Sequence, residues 1–185
     1  MAQALAMATR GKQGITEVQA SYLAGCFDAD GSISITKSSP GSWGLRNGRI
    51  KNPRYVLRVN IVNTSHDLMN WLYENFGGLI KNRPLENPEK HRQTYDWSYD
   101  NGKALDVLEL MYPYLIVKKE RVALGLELLR GWKTNQGRGA TTDPEEVVRR
   151  ESYYQRMKSL NQFGPVQPQR LSPLAPVAQQ DDAIV

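Results

Sequence analysis

Leu23-Ala24-Gly25-Cys26-Phe27-Asp28-Ala29-Asp30-Gly31 is the stretch on which the reading of this chain turns. Thr16 precedes it as an N-cap and Gln19 completes a capping-box pattern, so a helix is expected from there through Asp30. Gly31 reads as its stop, in the left-handed C′ conformation that suits glycine. Gly25 and Ala29 lie four apart on one helix face, where two small residues let a second helix backbone approach closely. Asp30 falls at the C-terminal end of the helix, beside unpaired carbonyls and the negative end of the macrodipole. A carboxylate is unfavourable there without a cation. Pairing two such helices would bring two acidic ends together, a site suited to a hard divalent ion such as Mg²⁺. On these residues alone, Asp28 to Gly31 reads more readily as a solvated turn. An EF-hand is excluded, because a third liganding position before the glycine and a later Glu are missing.

Outward from this segment the periodicity changes. Ser32 to Lys37 alternates β-branched and polar residues, as a half-buried strand does. After a Gly/Ser/Pro/Asn-rich loop, Tyr55 to Asn63 alternates again, with Val56, Arg58, Asn60 and Val62 on one face and Tyr55, Leu57, Val59 and Ile61 on the other. Ser65 caps a second helix that runs to Gly77-Gly78. Leu79 to Arg83 and Gln93 to Tyr99 read as a further strand pair. Helical periodicity returns in Gly102 to Leu115 and Lys118 to Trp132, and a last helix starts near Thr142 or Asp143 with Pro144 at its first position. The fold class expected is α+β, in the order αββαββα with extra C-terminal helices. The organisation expected is a single domain over residues 15–162, flanked by disordered segments at 1–14 and 163–185, the latter rich in Pro and Gln.

Charge sharpens the picture. The 185 residues carry a net charge of +5, yet Gly31 through His66 holds no Asp or Glu while containing Lys37, Arg46, Arg49, Lys51, Arg54 and Arg58. An acid-free, Arg-rich segment suits a polyanion; a solvated basic face is the alternative reading. No apolar run is long enough to span a bilayer, no secretory signal is evident and Cys26 stands alone, so an intracellular, non-membrane protein is expected. Trp71, Trp97 and Trp132 are assigned to the core, and His66 and His91 lack metal-site spacing.

YLAGCFDADGSI resembles the signature of the LAGLIDADG homing endonucleases, with Cys26 and Phe27 at its variable apolar positions. The element order matches as well, and Pro113 to Lys118 looks like the segment that presents the family's active-site lysine. The resemblance implies a site-specific double-stranded DNA endonuclease that hydrolyses phosphodiester bonds with Mg²⁺, with Mn²⁺ or Ca²⁺ also able to occupy the site. Asp30 would hold the metal, assisted by the carbonyl of Ala29. Lys118, or its neighbour Lys119, would act near the phosphate. Asn63 would position water, or else simply end its strand before the Ser65 cap, and Asp28 would satisfy backbone donors near the helix end. A basic residue that some relatives carry shortly after has no match, since Asp67 and Leu68 stand there.

One copy of the motif implies a homodimer joined through Gly25 and Ala29, on a long, pseudo-palindromic target and with no membrane partner. Two strand pairs from each copy would form an antiparallel saddle in the major groove. Lys37, Arg46, Arg49, Lys51, Arg54, Arg58, Lys81, Arg83 and Arg92 are the candidate DNA contacts. The competing functions are an intron RNA-splicing maturase and a non-cutting DNA-binding regulator on the same fold. Asp30 argues against the regulator.

Overall fold

The structure is a computed structural model, and it describes residues 14–38, 52–84, 87, 89–132 and 143–162. The readings of 1–13 and 163–185 as disordered, and the candidates Arg46, Arg49 and Lys51, lie outside the described residues.

Helix α1 spans Glu17–Asp30. Its capping box is formed on both sides: Thr16 Oγ1 accepts from the Gln19 amide at 3.2 Å and Gln19 Oε1 accepts from the Thr16 amide at 2.8 Å. Ala20, Leu23, Ala24 and Phe27, spaced for one helix face, are buried against the core. Strand β1 (Gly31–Ser38) follows with no intervening loop. Gly31 is where the reading needs correcting. Its φ of −79° and ψ of 157° are extended, not left-handed. What requires glycine is space, because a Cβ there would sit 2.3 Å from the Phe27 ring and 2.5 Å from the Phe27 carbonyl oxygen.

Strand β2 (Arg54–Asn63) pairs antiparallel with β1, Gly31 opposite Ile61 and Ser38 opposite Arg54. Its alternation is the one the sequence announces, with Tyr55, Leu57, Val59 and Ile61 buried. Ser65 Oγ caps helix α2 (His66–Phe76), which ends at Gly77 and Gly78, both with positive φ. Strands β3 (Leu79–Asn82) and β4 (Tyr95–Asp100) form a second hairpin. The two expected strand pairs join through β2 and β4 into one four-stranded antiparallel sheet of order β1-β2-β4-β3.

One face of the sheet carries the helices. Trp97 is buried there and donates its indole N–H to the Gly77 carbonyl at 2.7 Å. Trp71 and Trp132 are only partly buried, at the edge of the core. The stretch read as one helix from Gly102 breaks into a 3₁₀ turn (Asn101–Ala104), helix α3 (Leu105–Met111) and a second 3₁₀ turn (Tyr112–Tyr114) around Pro113, which cannot donate a helical hydrogen bond. Helix α4 (Lys119–Arg130) lies over β1, and Gly125 makes the approach possible, since a Cβ there would stand 2.8 Å from Ile33 Cδ1. Asp143 caps helix α5 (Pro144–Asn161), accepting from the Glu145 amide at 3.0 Å.

Gly31→Ala should cost about 1–3 kcal/mol in urea denaturation, because Phe27 cannot clear a new methyl without moving the helix end. A variant as stable as the wild type would show that the α1–β1 junction has slack that these contacts do not indicate.

Candidate functional site

The C-terminal end of α1 is where the sequence candidates converge. Asp30 is exposed and accepts from Asn63 Nδ2 at 2.8 Å. Asn63 continues the core-facing register of β2 past Ile61, which aims it under the helix end. Its own Oδ1 accepts from the Ser65 amide at 2.8 Å, so the residue both opens the α2 cap and holds the Asp30 carboxylate. Of the two uses left open by the sequence, the bond to the Ser65 amide is the strand-ending one, and the bond to Asp30 is a further contact that the sequence did not announce.

Lys118 reaches the same place from the far side. Its ammonium donates to the carbonyls of Phe27 at 2.8 Å, Asp28 at 2.6 Å and Ala29 at 3.2 Å. These are last-turn carbonyls of α1; that of Phe27 also accepts from the Gly31 amide, those of Asp28 and Ala29 lie past the helical ladder, and a cation there also offsets the macrodipole. Lys119 instead lies 5.4 Å over the Tyr112 ring, away from Asp30. Between the two lysines, Lys118 is the one brought to the helix end. Burial pushes its ammonium below the ordinary lysine value, against the opposing pull of Asp28.

Asp28 answers in the opposite direction. Its carboxylate accepts from the amides of Ile116 at 2.7 Å, Val117 at 3.1 Å and Lys118 at 2.9 Å. Desolvation alone would raise its pKa. The amides of Ile116, Lys118 and Val117 and the Lys118 charge overcome that and hold it below the ordinary aspartate range. The sequence expected Asp28 to satisfy backbone donors near the helix end, and it does. The donors belong to a segment far along the chain, which only the tertiary structure reveals.

Among the described residues no group of three or more His, Cys, Asp and Glu side chains is placed to hold a metal. One copy offers the exposed Asp30 carboxylate and the neighbouring Ala29 carbonyl. Both are hard oxygen donors of the kind Mg²⁺ and Ca²⁺ take, but they make only part of a coordination shell.

The sheet face opposite the helices is polar. Its alternating positions are Ser32, Ser34, Thr36 and Ser38 on β1, Arg54, Val56, Arg58, Asn60 and Val62 on β2, Asp96, Ser98 and Asp100 on β4, and Leu79 and Lys81 on β3. Arg54, Arg58 and Lys81 are therefore on this face as expected. Arg83, just past β3, also reaches it through Asp96. Arg92 is exposed in the approach to β4. Lys37 is not with them, which corrects its assignment as a DNA contact. It shares the parity of Ile33 and Ile35, points to the helix side and pairs with Glu151 of α5 at 2.9 Å. Asp96 and Ser98 were given no role from sequence, although alternation along β4 places them on the face of Arg58.

The remaining face of α1 is open. Val18 and Tyr22 are 77% and 55% exposed. Gly25 and Ala29 continue the same stripe, and a Cβ at Gly25 would meet nothing within 4 Å.

By sequence the chain matches no family model and no curated protein. Its structure does find similar ones. The homing endonuclease I-CvuI, solved with its DNA target in the presence of Ca, superposes with a TM-score of 0.61 at 18% identity, over 80% of this chain and 85% of that one. The fold is that of the LAGLIDADG homing endonucleases. An archaeal intron-encoded homing endonuclease complexed with DNA gives 0.60 at 18% identity, covering 80% of this chain and 87% of its own. The group I intron-encoded homing endonuclease I-CeuI, also complexed with DNA, gives 0.57 at 18% identity, over 85% and 73%. The signature that names this fold is α1 itself.

Because the folded carboxyl of Asp28 titrates below its ordinary value of 3.8, its stabilisation is complete above that value and is lost as pH falls through the lowered folded one. Asp28→Asn should therefore be less stable than wild type at neutral pH by on the order of 1 kcal/mol. The gap should close in acid when urea midpoints are compared across pH. A gap that stays constant to the acid limit would mean the carboxylate charge is not what the three amides hold.

Proposed function

We propose that the chain is a site-specific double-stranded DNA endonuclease that works as a homodimer, cuts with a divalent metal and promotes the mobility of the intron that encodes it. The observation that carries this reading is the position of Asp30. It stands exposed at the end of α1, whose second apolar face is uncovered, so that pairing two copies of α1 brings two Asp30 carboxylates together. Three of the fold's neighbours were solved with DNA, one of these in the presence of Ca, which supports both the substrate and the metal.

A helix with apolar stripes on both sides needs two partners. The sheet and α3 supply one. The Val18, Tyr22, Gly25 and Ala29 stripe takes the equivalent stripe of a second copy, with the open space at Gly25 letting the backbones close. In the dimer the two Asp30 carboxylates and Ala29 carbonyls, with DNA phosphates and water, complete the oxygen shells that one copy leaves partial. Mg²⁺ held there would polarise the scissile phosphates and lower the pKa of an attacking water.

This chain's own residues prepare the site. Asn63 fixes the rotamer of Asp30 through its Oδ2 oxygen. Lys118 holds the Ala29 carbonyl in place and contributes positive charge next to a phosphate. The outer sheet face lies in the major groove, where Arg54, Arg58, Lys81 and Arg83 meet phosphates and base edges. Residues 15–162 act as one domain. No helix among the described residues is long and apolar enough to cross a membrane, and the reading places the protein inside the cell with the DNA it cuts.

Two experiments test it. Plasmid DNA carrying the intronless host locus is incubated with protein and Mg²⁺, in a cleavage assay run beside a gel shift. Asp30→Asn should abolish cleavage and keep affinity, since a neutral amide binds a hard cation poorly while phosphate contacts are untouched. Near-native cutting by that variant would remove Asp30 from the active site. Binding to intron RNA with no cutting of the locus would favour a splicing role instead. Sedimentation is the second measurement. The wild type should be a dimer, and Gly25→Leu a folded monomer, because a Cβ at Gly25 meets nothing within 4 Å in one copy while a second helix closing on it would be pushed away. A wild-type monomer at micromolar concentration with DNA present would overturn the assembly.

A further inference from the structure

The outer face of the sheet holds an acid in its middle. Asp96 lies on β4 opposite Val62 of β2 and Lys81 of β3, with its side chain on the face that meets DNA in the reading above. On a surface that must bind a polyanion, a carboxylate opposes binding. It is also poorly satisfied, since Asp96 is 7% exposed and its Oδ1 is buried with no hydrogen-bond partner. Neither affinity nor stability accounts for it.

What it touches does. Arg83 Nη2 donates to Asp96 Oδ2 at 3.0 Å. Arg58 Nη2 faces the same oxygen at 3.6 Å and donates to Ser98 Oγ at 3.2 Å. One carboxylate oxygen thus gathers two guanidinium groups from opposite sides, one from β2 and one from beyond β3. The arginine side chains stay 32% and 49% exposed while the carboxylate beneath them is covered. Arg83 is fixed at its backbone too, its amide donating to the Thr94 carbonyl at 2.9 Å and its carbonyl accepting from Gln93 Nε2 at 2.8 Å. Free arginine side chains on a surface sample many rotamers and bind phosphate anywhere. Two held by a shared anion present their forks in one geometry.

We propose that Asp96 is a positioning residue that holds Arg58 and Arg83 as a fixed pair for reading guanine in each half of the target, and so sets sequence specificity. This rests on the DNA-reading function proposed above. Guanine follows from the chemistry of the fork, which matches its O6 and N7 acceptors in the major groove. Asp96 itself does not meet a base, because the two arginines cover it. Its negative charge also keeps the pair from acting as a general phosphate clamp, as the cluster carries one net positive charge where two free arginines would carry two.

The test selects bound sequences from a randomised duplex DNA library with wild type, Asp96→Asn, the Arg58→Ala/Arg83→Ala pair and the combination of all three. Wild type should enrich guanine at fixed positions in each half-site. Asp96→Asn, nearly isosteric and with a melting temperature near wild type, should lose that guanine preference by roughly tenfold while binding non-target duplex more tightly at low salt. The arginine pair should lose preference at the same positions, and adding Asp96→Asn to it should change nothing further. Asp96→Ser repeats the measurement should the asparagine variant melt far below wild type.

Unchanged base preference in the carboxylate variants overturns the inference. So does guanine preference that survives without the two arginines. A loss on removing Asp96 that persists in the arginine-free background also overturns it, because Asp96 would then be reading a base directly. If the wild type enriches no sequence at all, the DNA-reading function itself fails. If it does and Asp96→Asn matches it, only the role of Asp96 fails.

Discussion

An exchange of hydrogen bonds across some ninety residues of chain holds the end of α1. The Asp28 carboxylate takes the three amides of Ile116, Val117 and Lys118, and the Lys118 ammonium returns three bonds to the carbonyls of Phe27, Asp28 and Ala29. Each group solves a problem for the other. The loop before α4 has amides with no strand or helix to pair them, and the end of α1 has carbonyls in the same position. A carboxylate near a helix C-terminus is unfavourable alone, by a few tenths to about 1 kcal/mol. The lysine drawn in beside it removes that cost and makes room for a second carboxylate, Asp30, that is left facing outward. The charge available at the site therefore depends on a contact that the site's own residues only partly make.

How much of this was legible in the sequence follows from how local each signal is. The Thr16–Gln19 box, the Ser65 cap and the alternation of Tyr55 to Ile61 each depend on neighbours within a few residues, and the structure reproduces them. Gly31 was legible as a stop but not for the right reason, because the packing of the Phe27 ring against its own helix end leaves no trace in a string of letters. The choice between Lys118 and Lys119 needed the tertiary exchange just described. Two adjacent lysines before a helix are equivalent until one of them has carbonyls to bind. The joining of two hairpins through β2 and β4 is likewise a pairing of distant segments with no local cue.

Lys37 shows a different kind of limit. Counting charges along Gly31 to His66 treats the segment as one basic surface, and by that measure Lys37 belongs with Arg58. The alternation that defines β1 says otherwise, since Lys37 has the parity of the buried Ile33 and Ile35. On the helix side it anchors α5 through Glu151, which also accepts from the Tyr55 hydroxyl. Glu151 is held down to about 2 by the Tyr55, Gln155 and Lys37 hydrogen bonds. Net charge is a property of a segment, but in a strand each face has its own. The outer face that remains is less basic than the segment suggested. It mixes serines, arginines and aspartates, as suits the proposed role of discriminating among base pairs and not only holding phosphate.

The position of Gly31 ties these parts together. Asp30 ends α1 and Gly31 begins β1, so the residue proposed to hold metal and the first residue of the sheet are joined by one peptide bond. No loop separates them that could flex. Asn63 adds a second tie, because it ends β2 directly beneath the helix end and bonds to the Asp30 carboxylate. The sheet thus fixes the carboxylate from two strands at once. A site built on strand and helix ends holds its geometry more tightly than one carried on loops. In such an arrangement the distance between the outer sheet face and the Asp30 carboxylate is set by the covalent backbone, and the Phe27 ring against Gly31 keeps that junction from opening.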